Sequence, residues 1–339
     1  MKKEIDSYNK TLFYEGENAK VSLKVDLPKK LYKYYSLSNY SFKNLKDKKI
    51  HFSHPYDLND LMDGSLWLWD LNSFYEEYSK DVKNPLTFQE IQKDIYQNHS
   101  NEYYKHRGVL CLTNSFNNKL FWPHYTSEQG FCIEFNSQEF LNSFGKEEYM
   151  IFPISYEPLK QIKFNDYIIK TIKNKKAEIN ANLPLLYALS FKDEIWEYEN
   201  EWRILLKKDN LGELSHPLNT IGDLKYNLEN KEIQKRNIPY NSKSIAKIIL
   251  STLFFNKNRF NFQVISKNKT IFHFRKKYTS DNSLLIGFLE EIKDEFNDKI
   301  YQLDRVFDPE SSSFANKILF KIKIIELDFD KLIIERKKL

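Results

Sequence analysis

Three short apolar runs, "GVLCLTNS", "QGFCIEFN" and "KSIAKIILS", constrain the fold of this chain most tightly. Each is bounded by polar or turn-forming residues and is too short for a buried helix, so each reads as a buried or half-buried strand. Helical segments do not alternate with these strands regularly enough for a doubly wound sheet. The pattern therefore predicts an α+β fold, with a mixed, mostly antiparallel sheet core and flanking helices.

Local signals fill in the rest. "LYKYYS" has strand alternation, and Ser38 stands as the N-cap of a short helix in "SNYSFKNLKDK". Thr87 followed by Glu90 forms a capping box ahead of "FQEIQKDIYQNH". "HPYDLNDLMDG" is a loop in which Asn59 and Asp60 fix a turn through their own backbone. "FNFQVISKNKTIFHFRKK" reads as two strands joined at Asn268-Lys269, and "LLIGFLEEIKDEFNDKIYQL" as an amphipathic helix. Residues 157–191 are expected to be mainly helical, and residues 1–28 to be a flexible lead-in or an edge hairpin. These signals divide the chain into a lead-in (1–30), a main α+β domain (31–280) and a C-terminal helix–strand extension (281–339).

Composition narrows the function classes. The 52 basic and 47 acidic side chains leave a formal charge of +5, too small to argue for nucleic-acid binding by electrostatics alone. Eight glycines and no GxxxxGK[ST] or GxGxxG pattern argue against a glycine-rich phosphate loop. Cys111 and Cys132 lack metal-ligand spacing and read as small buried hydrophobes in a reducing compartment. The beginning "MKKEIDSYNKTLFYEG" has no apolar core of a signal peptide, and no apolar run reaches membrane-spanning length. The expectation is a cytoplasmic protein with no membrane partner. His51 and His54 lack an acidic partner at characteristic spacing, so no metal is expected and a turn role is favoured. His124 reads as a packed loop residue.

The stretch "DEIWEYENEWRILLKK" holds Glu197, Glu199 and Glu201 at alternate positions, followed by Arg203. As a strand, it would project Glu199 and Glu201 to one face, roughly 6.5–7 Å apart. Two such carboxylates repel, and need a cation, a shared proton or a polar ligand. Arg203 neutralises one, leaving the other to meet a ligand. Two further readings stand beside this. Glu199 and Glu201 simply pair Arg203 and Lys192 to hold the core, or the stretch is a helix with Glu197 and Glu201 on a solvated face.

Several stretches taken together resemble the bacterial family called domain of unknown function 2971. They are Tyr32-Lys33-Tyr34, Ser53 with Pro55, Asn59-Asp60, Trp122 with Tyr125, Gly130 to Cys132, and Trp196, Glu199, Glu201 and Arg203 with Lys192 upstream. The resemblance runs from about Leu31 to Leu250, and Leu61 departs from the proline often found there. The order of motifs is also similar to that of ADP-ribosyltransferases. That similarity implies NAD as cofactor, with Glu201 on the ribose and Glu199 assisting as the catalytic pair. Lys33 would meet the pyrophosphate, Ser53 would fill the second-strand slot, and Tyr34, Trp122 or Tyr125 would stack on a ring. Arg203 completes the set. The first slot departs from the pattern, which has His or Arg where this chain has a lysine or a tyrosine of Tyr32-Lys33-Tyr34.

The resemblance implies an NAD-dependent ADP-ribosyltransferase or an NAD-cleaving effector, in phage defence or as a toxin. Its target would be a protein or nucleic acid, with a regulatory partner protein as a further expectation. The alternative is a non-enzymatic sensor or partner-binding module. A nuclease-like effector stands third, because no carboxylate or histidine cluster has a recognisable metal spacing.

Overall fold

A computed structural model describes residues 3–15, 18–60, 62–65, 68–83, 85–95, 100–118, 120–145, 148–158, 162–166, 168–173, 176–209, 211, 235–275, 279–308 and 313–338. The chain forms two compact units, each assembled from three segments: residues 1–27, 51–112 and 146–238 in the first, and 28–50, 113–145 and 239–339 in the second. The divisions expected at residues 30 and 280 follow chain order, and this partition does not. Helices combine with a mixed, mostly antiparallel sheet, as an α+β fold requires. No helix among the described residues is long and apolar enough to cross a membrane.

In the first unit, residues expected as a lead-in form an antiparallel three-stranded sheet from Glu4–Ser7, Lys10–Glu15 and Asn18–Leu23. A second set of strands runs Arg107–Thr113, Glu201–Lys207, Glu148–Pro153 in spatial order, the last two antiparallel. Glu201–Lys207 lies between two neighbours and its first six residues are all buried. A strand covered on both faces cannot alternate polar and apolar residues. It therefore has to satisfy whatever charge it carries internally. The core of this unit gathers Leu12, Trp69, Phe74, Phe152, Phe164 and Leu186.

The large sheet of the second unit runs, among the described residues, in the order Phe260–Ser266, Lys269–Phe274, Lys331–Lys338, Ser313–Leu327, Ile300–Asp308, Ile245–Leu250, Phe131–Asn136, Lys30–Tyr35. Neighbours are antiparallel except Ile245–Leu250 with Ile300–Asp308. The helix Thr279–Phe296 buries Leu285, Phe288, Leu289, Ile292 and Phe296, one stripe at helical spacing. Phe288 meets Phe131 at 4.8 Å between ring centroids. Gly130 has a steric reason in this unit: a Cβ there would overlap the Tyr35 carbonyl oxygen.

The cap signals hold. Ser38 and Thr87 both close capping boxes, with Ser41 and Glu90 as the third residues. Asp60 accepts the Met62 N–H at 3.0 Å, the backbone-fixing role expected of it. Leu61 and the end of the helix expected after Thr87, residues 96–99, lie outside the described residues. One expectation fails. The described part of residues 157–191 is not mainly helical: strands Ile162–Lys163, Ile169–Lys173 and Lys176–Asn180 precede the short α-helix Asn182–Ala188. Ile169–Lys173 and Lys176–Asn180 pair antiparallel with each other, and such pairing outweighs a weak local helix preference.

Lys10 anchors the first sheet to the rest of its unit. Its buried ammonium donates to the carbonyls of Pro153 (2.8 Å) and Ser190 (3.1 Å) and to Ser155 Oγ (2.6 Å). Burial, reinforced by the Arg203 charge and opposed by Glu157, lowers its pKa to about 7. The unfolded chain then binds the extra proton between that value and the ordinary lysine range. The cost of the buried charge is present in full below pH 7 and is relieved as pH rises. Stability against urea should therefore rise between pH 7 and pH 9, by up to about 1.4 kcal/mol per pH unit from this group. Lys10→Met should flatten that rise, which unfolding curves at several pH values will measure.

Candidate functional site

The glutamate-rich stretch does not form one continuous strand. Residues Glu194–Glu199 make 3-10 turns, and Asn200 takes a left-handed conformation (φ 44°) before the strand begins at Glu201. Asparagine tolerates that conformation better than most side chains, which explains its place here. The expected spacing of Glu199 and Glu201 along one strand face is therefore replaced by a turn. Both carboxylates still converge, because Lys192 reaches each of them.

Five charged side chains close on one another inside the first unit. Lys192 Nζ lies 2.7 Å from Glu199 Oε2, 2.9 Å from Glu201 Oε2 and 3.8 Å from Asp63 Oδ2. Arg203 donates from Nε to Glu201 Oε1 at 2.7 Å and from Nη2 to Glu201 Oε2 at 3.4 Å. It also donates from Nη1 to Asp63 Oδ1 at 2.6 Å, from Nη2 to Asp63 Oδ2, and from Nη1 to the Leu189 carbonyl at 2.8 Å. A guanidinium has five N–H donors, and each has found an acceptor. Leu189 caps the C-terminal end of Asn182–Ala188, where carbonyls lack intrahelical partners.

The group is sealed. Exposure is 0% for Arg203, 2% for Glu199, 3% for Lys192, 4% for Glu201 and 5% for Asp63. Three carboxylates facing two cations carry one net negative charge. Burial pushes the Glu201 carboxyl up, but Arg203 and Lys192 together overcome it and hold Glu201 below the ordinary range. At Asp63 burial prevails over the same two cations, and its pKa is raised. Burial disfavours the charged Lys192, and Glu201, Asp63 and Glu199 more than reverse it.

Neighbours complete the lining. Tyr156 Oη accepts the Glu201 N–H at 2.8 Å, and the Cys111 thiol hydrogen-bonds the Glu201 carboxylate. Cys111 is thus more than the small hydrophobe expected, whereas Cys132 is fully buried as such. Lys192 Nζ also sits 5.3 Å from the centroid of the Trp196 ring, and Trp202 is buried.

The remaining predicted residues occupy other settings. Ser53, in the first unit, bridges Val109 through its backbone, with both N–H to O distances 2.8 Å. His54 accepts the Tyr56 N–H at 3.1 Å as the cap of a short turn, and burial and Arg236 lower its pKa to about 2. In the second unit, Tyr34 and Trp122 pack edge to face at 4.9 Å between centroids. Trp122 is 0% exposed and donates its indole N–H to the Phe116 carbonyl, so it fills the interior instead of offering a stacking surface. The Tyr34 hydroxyl donates to the Ser115 carbonyl at 3.2 Å. Tyr125 is half-buried against Phe121, and Lys33 is half-buried on its strand.

Asp63 is the member that sequence reasoning missed. It lies 140 residues from Arg203 in "LMDG", where an aspartate before glycine reads as an ordinary turn. The available signal was indirect: a buried arginine with two fork edges needs more than one carboxylate. No group of three or more His, Cys, Asp or Glu suited to a metal ion occurs among the described residues.

Residues 121–204 match the family model described as protein of unknown function (DUF2971). That span holds Trp122, Tyr125, Gly130, Lys192, Glu199, Glu201 and Arg203, the later part of the resemblance read from the sequence. No curated protein and no solved structure matches the chain.

Breaking this group should be costly, because removing one partner leaves the others charged, buried and unpaired. Arg203→Met should destabilise the protein by about 3–5 kcal/mol, and Glu201→Gln by a smaller amount, since the amide retains one acceptor. Urea unfolding of both variants beside the wild type checks the order and the size.

Proposed function

We propose that this chain is a non-enzymatic partner-binding module, in which Glu199, Glu201 and Arg203 build the interior and do not turn over a substrate. The observation that carries the reading is the state of Glu201. Both of its carboxylate oxygens are held by buried cations, Oε1 by Arg203 at 2.7 Å and Oε2 by Lys192 at 2.9 Å, and the residue is 4% exposed. Stabilising positive charge on a ribose during cleavage of its glycosidic bond needs a carboxylate aimed at the sugar. Here the donors that surround the carboxylate already occupy those directions. Trp122, expected to stack on a ring of the cofactor, is likewise enclosed.

Nicotinamide release decides between this reading and the NAD-cleaving one. The full chain, incubated with NAD alone and with cell extract, should release none above the rate without protein. Glu201→Gln should change the unfolding midpoint and leave that result unaltered. Release by the wild type that Glu201→Gln abolishes, at a temperature where the variant remains folded, would overturn the module reading and place Glu201 in a catalytic role.

A further inference from the structure

The second unit ends its sheet on the strand Phe260–Ser266, and no strand among the described residues lies beyond it. An open strand edge presents unpaired N–H and C=O groups and invites pairing with another chain. Proteins blunt such edges with charge or proline, and the other edges here follow that rule. Glu4–Ser7 carries Glu4 and Asp6, Asn18–Leu23 carries Lys20, and Glu148–Pro153 carries Glu148 and Pro153. Phe260–Ser266, "FNFQVIS", has neither charge nor proline.

Beside the exposed polar Asn261, Gln263 and Ser266, the strand exposes three large apolar side chains. Phe262 is 60% exposed, Val264 61% and Ile265 51%. Register places Phe260 opposite Phe274, Phe262 opposite Phe272 and Val264 opposite Thr270, so Phe260, Phe262 and Val264 share one face. Phe260 on that face is fully buried among Phe255, Phe272 and Phe274. The apolar face thus runs outward from a packed aromatic cluster and stops at Phe262 and Val264 without cover among the described residues. A bulge at Ile265, between Val264 and Ser266, lies at the hairpin end and leaves Phe260–Val264 in regular register.

Charge selects the occupant. Residues 251–280 contain Lys257, Arg259, Lys267, Lys269, Arg275, Lys276 and Lys277 and no aspartate or glutamate, although the whole chain nearly balances its charges. Lys257 and Lys267 are exposed at the two ends of the strand. A second copy pairing antiparallel about Gln263 would set Arg259 against Lys267, like charge against like. A single-stranded nucleic acid would want a row of open rings, and Phe262 is the one exposed phenylalanine of this hairpin, with aliphatic Val264 and Ile265 beside it.

We propose that the outer edge of Phe260–Ser266 docks an extended, acidic and aliphatic segment of a partner protein as an added strand. Main-chain hydrogen bonds would supply affinity, and aliphatic side chains would cover Phe262 and Val264. Acidic side chains would meet the lysines at the strand ends. This deepens the binding-module reading and rests on it.

The test uses the full chain and three labelled probes: a peptide of about eight residues, a typical strand length, alternating Val and Glu; its Val–Lys counterpart; and oligothymidylate. Fluorescence anisotropy should show the Val–Glu peptide binding at least about tenfold tighter than either other probe, with affinity falling as salt is raised. Val264→Lys, on an exposed site where the fold should survive, should weaken it by a similar factor while leaving the unfolding midpoint in place. Lys267→Glu, which alters no apolar contact, should weaken it too. Equal binding of both peptides, preferential binding of oligothymidylate, or no binding of the Val–Glu peptide up to about 1 mM would each overturn the proposal. The two readings fail separately. Glu201-dependent NAD turnover removes the module reading whatever the peptides do, and absent peptide binding without turnover removes this edge alone.

Discussion

Arg203 is the interaction on which the first unit depends. It stands on a strand buried on both faces, where a guanidinium cannot reach water. Its five donors go to Glu201, Asp63 and the Leu189 carbonyl. One side chain thereby joins its own strand, the loop holding Asp63 and the end of the helix Asn182–Ala188. Lys192 adds the link to Glu199 and the turn before the strand. Such a group adds little net stability over a well-packed apolar one, but every member is costly to remove alone. Its value lies in fixing which segments meet.

That economy bears on function. A carboxylate poised for catalysis keeps a direction open for the reacting atoms, and perturbed carboxylates arise in structural networks as readily as in active sites. The depressed Glu201 and raised Asp63 both follow from burial set against the same two cations. Neither requires a ligand. Among the described residues, exposed apolar side chains stand elsewhere, on an uncharged edge strand whose flanks are basic.

The sequence disclosed what depends on near neighbours. Ser38 and Thr87 announced helix starts because capping is settled within three residues. The turn at Lys267-Asn268, a residue short of the expected junction, and the buried strand Ile245–Leu250 were legible for the same reason. The association of Lys192, Glu199, Glu201 and Arg203 could be read because all four lie within 12 positions. What could not be read was set by distant partners. Asp63 and Lys10 become meaningful only when segments 140 to 180 residues away arrive beside them. The helical expectation for residues 157–191 failed because strand pairing between Ile169–Lys173 and Lys176–Asn180 decided the local structure. Trp122 looked like a ligand platform because an aromatic residue's exposure is invisible before packing.

A double-mutant cycle on Glu201→Gln and Arg203→Lys tests the central claim most directly. If the pair is a structural contact in a closed interior, urea unfolding should give a coupling energy of about 1–3 kcal/mol, the double variant losing less than the two single variants together. Additivity within about 0.5 kcal/mol would contradict it, because two side chains that hold each other cannot be lost independently.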